Sequence, residues 1–180
     1  MADPLEKTIT VYYKPGKKPN YSLSSDLPPI PGIPNGFIFR NDGHPGFKLN
    51  YTLDPESFGE LVFPNDPQEA LCVTVGDQET CPQSGTWGVF KPLQVKAVNG
   101  ENRILVVRNY NGKLPGGKTE ERFAYTLYVT QNPNGDPGDF IALDPIGSNQ
   151  NGHSGFNLKS LAVPALIVAA VGAIAYLALA

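Results

Sequence analysis

RFAYTLYVT, residues 122–130, alternates without a break. In an extended chain Phe123, Tyr125, Leu127 and Val129 fall on one side, and Ala124, Thr126, Tyr128 and Thr130 on the other. A helix would scatter the first four around its circumference and leave no apolar stripe, so the segment predicts a half-buried β-strand. The same period of two, bounded by turn residues, recurs on both sides of it. It runs through KTITVYY (7–13), GFIFR (36–40), FKLNYTL (47–53), ALCVTV (70–75), GTWGVF (85–90), LQVKAV (93–98), RILVVRNY (103–110) and DFIAL (139–143). Roughly nine short strands with no ten-residue helical period before residue 160 predict an all-β domain. The expected architecture is an antiparallel sandwich, Ig-like or jelly-roll-like, over residues 1–144, with Trp87 in its core.

Composition agrees. Nineteen Gly and 18 Pro supply turns, while 41% hydrophobic residues, with 9 Phe and 8 Tyr, suffice for a core. A net charge of −3 gives no basic footprint and excludes nucleic acid as the expected partner. The proline-rich stretch 19–36 cannot form a regular ladder; covering a sheet edge is its commoner role, binding a partner the other.

Lys159 is the last charged residue, and SLAVPALIVAAVGAIAYLALA (160–180) follows it. As a helix this stretch extends for about 31 Å, close to the ~30 Å hydrocarbon core of a bilayer. Having no polar stripe, it predicts a transmembrane helix rather than a core helix. Residues 145–159, rich in Asn and Gly, read as a tether. The N-terminus has no apolar run of signal-peptide length. The expected arrangement is a single-pass tail anchor in membrane lipid, with the soluble domain in the cytoplasm.

Several short patterns resemble chemical sites. GKLPGGKT (112–119) matches the phosphate-loop pattern, with Gly112 and Gly117 shaping the loop, Lys118 on phosphate and Thr119 on Mg²⁺. That chemistry needs a helix to begin directly after the loop, and the next residues have a strand's period. NPNGDPGD (132–139) offers oxygens from Asn132, Asn134, Asp136 and Asp139 for calcium, but without the bidentate Glu of a helical-hand loop; a plain Asn/Gly/Asp turn is expected. The phrases GHPGFKL (43–49) and GHSGFNL (152–158) agree at five of seven positions. They invite a shared His site, or simply two Gly turns leading into apolar segments. Asn20 and Asn50 head glycosylation patterns that matter only outside the cytoplasm.

Two cysteines, Cys72 and Cys81, flank CVTVGDQETC. A hairpin turning at Gly76–Asp77 sets them opposite each other, so a disulfide is sterically possible in an oxidising compartment. In the cytoplasm, two neighbouring thiols are expected.

LVVRNYN (105–111), FAYTLYV (123–129) and FIALDPIGSNQNG (140–152) resemble the later half of the DP-EP family of uncharacterised bacterial β-sandwich proteins. The resemblance implies an Ig-like sandwich without catalytic residues, and it supplies no function. The expected function is that of a membrane-tethered, non-catalytic β-sandwich without cofactor, acting as a structural or protein-binding module or as a homo-oligomer. The alternatives are a nucleotide-binding enzyme using the 112–119 loop, or a sugar- or calcium-binding β-sandwich.

Overall fold

The computed structural model describes residues 3–17, 19–41, 44–75, 90–111, 120–143 and 146–151. The expected hairpin at 76–77, Cys81, Trp87, the 112–119 loop, His153 and the apolar stretch 160–180 lie outside the described residues. Among those described, no helix is long and apolar enough to cross a membrane.

The described strands are β1 (Leu5–Tyr13), β2 (Tyr21–Ser24), β3 (Phe37–Asn41), β4 (Phe47–Leu53), β5 (Leu71–Val75), β6 (Phe90–Val98), β7 (Glu101–Asn109), β8 (Glu120–Val129), β9 (Ile141–Leu143) and β10 (Ile146–Asn151). One short helix, α1 (Pro55–Phe58), follows β4. The chain is all-β and sandwich-like. One sheet runs β2-β1-β4-β7-β6 and the other β3-β10-β8-β5, with β9 also on β8.

The alternation read in residues 122–130 sets the core. Phe123, Tyr125, Leu127 and Val129 are buried, together with Phe37, Phe39, Leu71 and Val73 of their own sheet. The first sheet meets them with Ile9, Val11, Leu49, Tyr51, Leu53, Leu105 and Val107. Each large apolar side chain so buried contributes about 1.5–3 kcal/mol before chain entropy is charged against it.

Three expectations need correction. Within the proline-rich stretch 19–36, residues 21–24, which lie between the prolines, form β2 in a regular antiparallel ladder with β1. The sheets are mixed rather than purely antiparallel: β1 pairs in parallel with β4, and β3 with β10. In each pair the intervening chain changes sheet before returning, so the returning strand arrives in the same direction. Residues 146–151, expected to begin a tether, form β10, which lies between β3 and β8. Its Asn- and Gly-containing sequence shows no alternation, yet backbone pairing on both sides holds it.

The strand ends sort into two poles. At the first, here called basal, β10 ends with Asn151 opposite Asn41, β4 begins at Phe47 opposite Asn109, and β6 begins at Phe90. At the second, distal pole lie α1, the β6–β7 turn and the segment after β8. In that turn Asn99 and Gly100 both have positive φ, as a two-residue primed hairpin requires.

Edges are defended. The proline-rich segment lies along β3: Ile38 donates its N–H to Pro28 O, and Pro29 bridges Phe37. The β6 ladder shifts register between Pro92 and Gln94 and again between Lys96 and Ala97. A bulge, a proline and lysines on one strand discourage pairing with another chain.

Candidate functional site

The distal pole carries a groove of about 410 Å³ lined by Glu60, Val62, Asn65, Gly100, Glu101, Asn102, Gln131, Pro133 and Asn134. Its construction begins at Asp54, whose carboxylate accepts the N–H of Ser57 and caps α1, with Pro55 opening the helix. Gly59, at φ +54°, ends the turn and releases the chain along residues 60–65.

That segment is the seam between the sheets. Val62 forms an antiparallel bridge with Thr130, at the end of β8. Phe63 donates its N–H to Asn102 O on β7, and Asn65 donates to Pro133 O. Arg103 secures the seam from below. Buried to 5% exposure, it donates to the carbonyls of Gly59 and Leu61 and pairs with the Glu101 carboxylate. A buried guanidinium needs this degree of satisfaction to be tolerated.

Three carboxamides from three segments then interlock across the groove. Asn102 Nδ2 donates to Asn65 Oδ1 at 2.7 Å, and also to Phe63 O. Asn65 Nδ2 donates to Asn134 Oδ1. The chain of amides fixes side chains that are otherwise mobile at a surface. The result is a set of fixed donors and acceptors with Glu60 and Gln131 on the rim, and Val62 and Pro133 as the apolar parts of the lining.

Of the oxygens singled out for calcium, Asn134 joins this groove and the others do not converge with it. Asn132 Oδ1 accepts the N–H of Asn134, and Asp136 Oδ1 accepts that of Gly138, where it caps the 3-10 turn Pro137–Asp139. Asn132 and Asp136 thus bond to their own loop, while Asp139 is exposed within that turn. Gly112, Gly117, Lys118 and Thr119 lie outside the described residues, but β8 starts at Glu120, directly after them. His44 closes its own turn: Gly46 N–H donates to its Nδ1 at 3.2 Å, and its ring packs edge-on against Phe47. The strands preceding the two His phrases are paired neighbours, with Asn41 opposite Asn151.

Cys72 is buried on β5, opposite Thr126, and is disulfide-bonded. Within the core, Tyr51 and Tyr125 stand with ring centroids 5.6 Å apart, and burial pushes both phenols above their ordinary range.

Glu60, Asn65, Asn102 and Gln131 had no sequence signature. They are scattered along the chain, Asn102 on β7 and the others in connecting segments, and Asn65 and Asn134 are 69 positions apart. No family model matches the chain, and no curated protein is similar to it.

Proposed function

We propose that the protein is a membrane-tethered, non-catalytic β-sandwich that works as a binding or structural module, with the distal groove as its binding surface. The observation that carries this reading is polar opposition. The chain leaves β10 at the basal pole and continues toward the apolar stretch 160–180, while the groove opens at the other pole. On this reading the bilayer lies on the basal side, where the last described strand ends, and the groove faces away from it. At β3 and β6 the defended edges disfavour strand addition. The proposal includes the finer Ig-like or jelly-roll-like assignment, in keeping with the DP-EP resemblance, and a cytoplasmic sandwich, with which Lys159 on the domain side agrees.

The nucleotide reading is the weaker one. A phosphate loop uses a helix N-terminus, and the residue after Thr119 enters a strand. Calorimetry with millimolar ATP or GTP and Mg²⁺ should show no binding, and saturable binding abolished by Lys118→Ala would restore the enzyme reading.

The module reading is tested by crosslinking in the native membrane from a photoreactive side chain placed at Gln131, followed by mass spectrometry. A reproducible adduct from Gln131, and none from the same probe at Lys91 near the basal pole, supports it. Equal labelling from both positions contradicts it.

A further inference from the structure

We propose that the distal groove takes neutral carbohydrate, recognised through ring hydroxyls. The inference rests on the binding-module reading and names the chemistry of its ligand.

Charge narrows the choice first. The cation beneath the groove, Arg103, is occupied by Glu101, Gly59 O and Leu61 O. Phosphate, sulfate or carboxylate ligands would therefore meet Glu60 and Glu101 with no free positive partner among the described lining residues. A divalent cation fits no better: the lining has two carboxylates, Arg103 engages Glu101, and among the described residues no three His, Cys, Asp or Glu side chains come together to hold a metal ion. Among the lining residues no aromatic or long aliphatic side chain offers an anchor pocket for an apolar peptide.

The remaining match is a neutral, hydrogen-bonding ligand, with Glu101 neutralised by Arg103 and Glu60 left as an acceptor. A carboxamide presents a donor and an acceptor side by side, and a sugar hydroxyl both donates and accepts. The Gln131 amide, Asn134 Nδ2 and Asn102 Oδ1 lie outside the hydrogen bonds of the amide chain, Glu60 adds an acceptor, and Val62 and Pro133 offer a small surface for ring C–H groups. The Asn102–Asn65–Asn134 chain holds its members in place before a ligand arrives, which lowers the ordering cost of binding. At about 410 Å³ the groove falls in the range of small-ligand sites, about 300–1,000 Å³.

The full chain, reconstituted in nanodiscs free of glycosidic detergent, should be screened against an array of defined neutral and anionic oligosaccharides, with hits quantified by calorimetry. The expected result is saturable binding of a neutral oligosaccharide, weakened at least tenfold by Gln131→Ala and by Asn134→Ala and unchanged by Lys91→Ala. Both groove variants sit in an exposed loop, and circular dichroism of each checks that it is folded. Absence of neutral binding at millimolar ligand, or binding indifferent to both groove variants, overturns the proposal. So does binding confined to anionic glycans and lost in Lys91→Ala. The Gln131 crosslink separates the two levels. A protein adduct without glycan binding removes the carbohydrate proposal and leaves the module reading, whereas loss of both removes both.

Discussion

Arg103 donates from Nη1 to the carbonyl oxygen of Leu61 at 3.0 Å, and by this bond a strand of one sheet grips the segment that closes the distal pole. The groove's shape depends on that grip, since Val62, Asn65 and the β6–β7 turn meet immediately above it.

Replacing Arg103 with Met keeps bulk and removes the donors to Gly59 O and Leu61 O. Buried carbonyls left without partners cost about 1–3 kcal/mol each, partly relieved by water at the exposed end. Arg103→Met is expected to lower stability by about 2–4 kcal/mol in urea unfolding. Glu101→Gln keeps an acceptor for Arg103 but removes the counter-charge of a buried guanidinium, and with the Glu101 side chain 54% exposed it should cost less than Arg103→Met, about 1–2 kcal/mol.

Gly46 and Gly100 both have positive φ, but only Gly46 is crowded. A Cβ at Gly46 would meet Asn109 O at 2.2 Å, whereas one at Gly100 meets nothing within 4 Å. Gly100→Ala should cost about 1 kcal/mol through backbone strain alone. Gly46→Ala should cost at least about 2 kcal/mol more, because β4 must shift from β7 to make room. Parallel thermal melts read the difference, and equal costs would contradict the close approach.

Tyr51 and Tyr125 give the fold an alkaline limit. With the folded phenols held above their ordinary value of 10.0 by burial, both states are protonated below about pH 10 and these residues contribute no pH dependence there. Above it the unfolded chain loses protons that the folded chain keeps. Stability should then fall by up to about 1.4 kcal/mol per pH unit for each tyrosine. Tyrosinate absorbance from these two should rise together with the loss of circular dichroism. Full ionisation of all tyrosines in a folded domain would contradict their burial.

Cys72 reports on the compartment. Cys72 is disulfide-bonded in the structure, a state that a reducing compartment does not keep; with the sandwich in the cytoplasm, alkylation of freshly lysed cells modifies both Cys72 and Cys81 after mild unfolding. A quantitative disulfide in the fresh lysate would place the sandwich on the oxidising side and reverse the orientation.

The parts of the fold written as local period were legible in sequence. FKLNYTL reads as β4 residue for residue, and the alternation over residues 123–129 separates the buried from the outward face of β8. β2 and β10 were not legible. YSLS has four residues among prolines, and IGSNQN has neither alternation nor β-formers beyond its first residue. Both exist because a neighbouring strand presents an open edge, which a linear pattern does not record. The groove was opaque for a related reason. Its amides are common turn residues individually, and only the seam at 60–65 brings Asn65, Asn102 and Asn134 together.

The central claim, a folded sandwich held to a membrane by residues 160–180, is tested most directly by liposome flotation of the full chain and of a chain lacking those residues. The full chain should float with the lipid after a high-salt wash. The shortened chain should stay in the dense fraction with an unchanged β-sheet circular dichroism spectrum, since every described strand precedes the deletion. A shortened chain that still floats after the wash would contradict the anchor, as would a full chain that does not float.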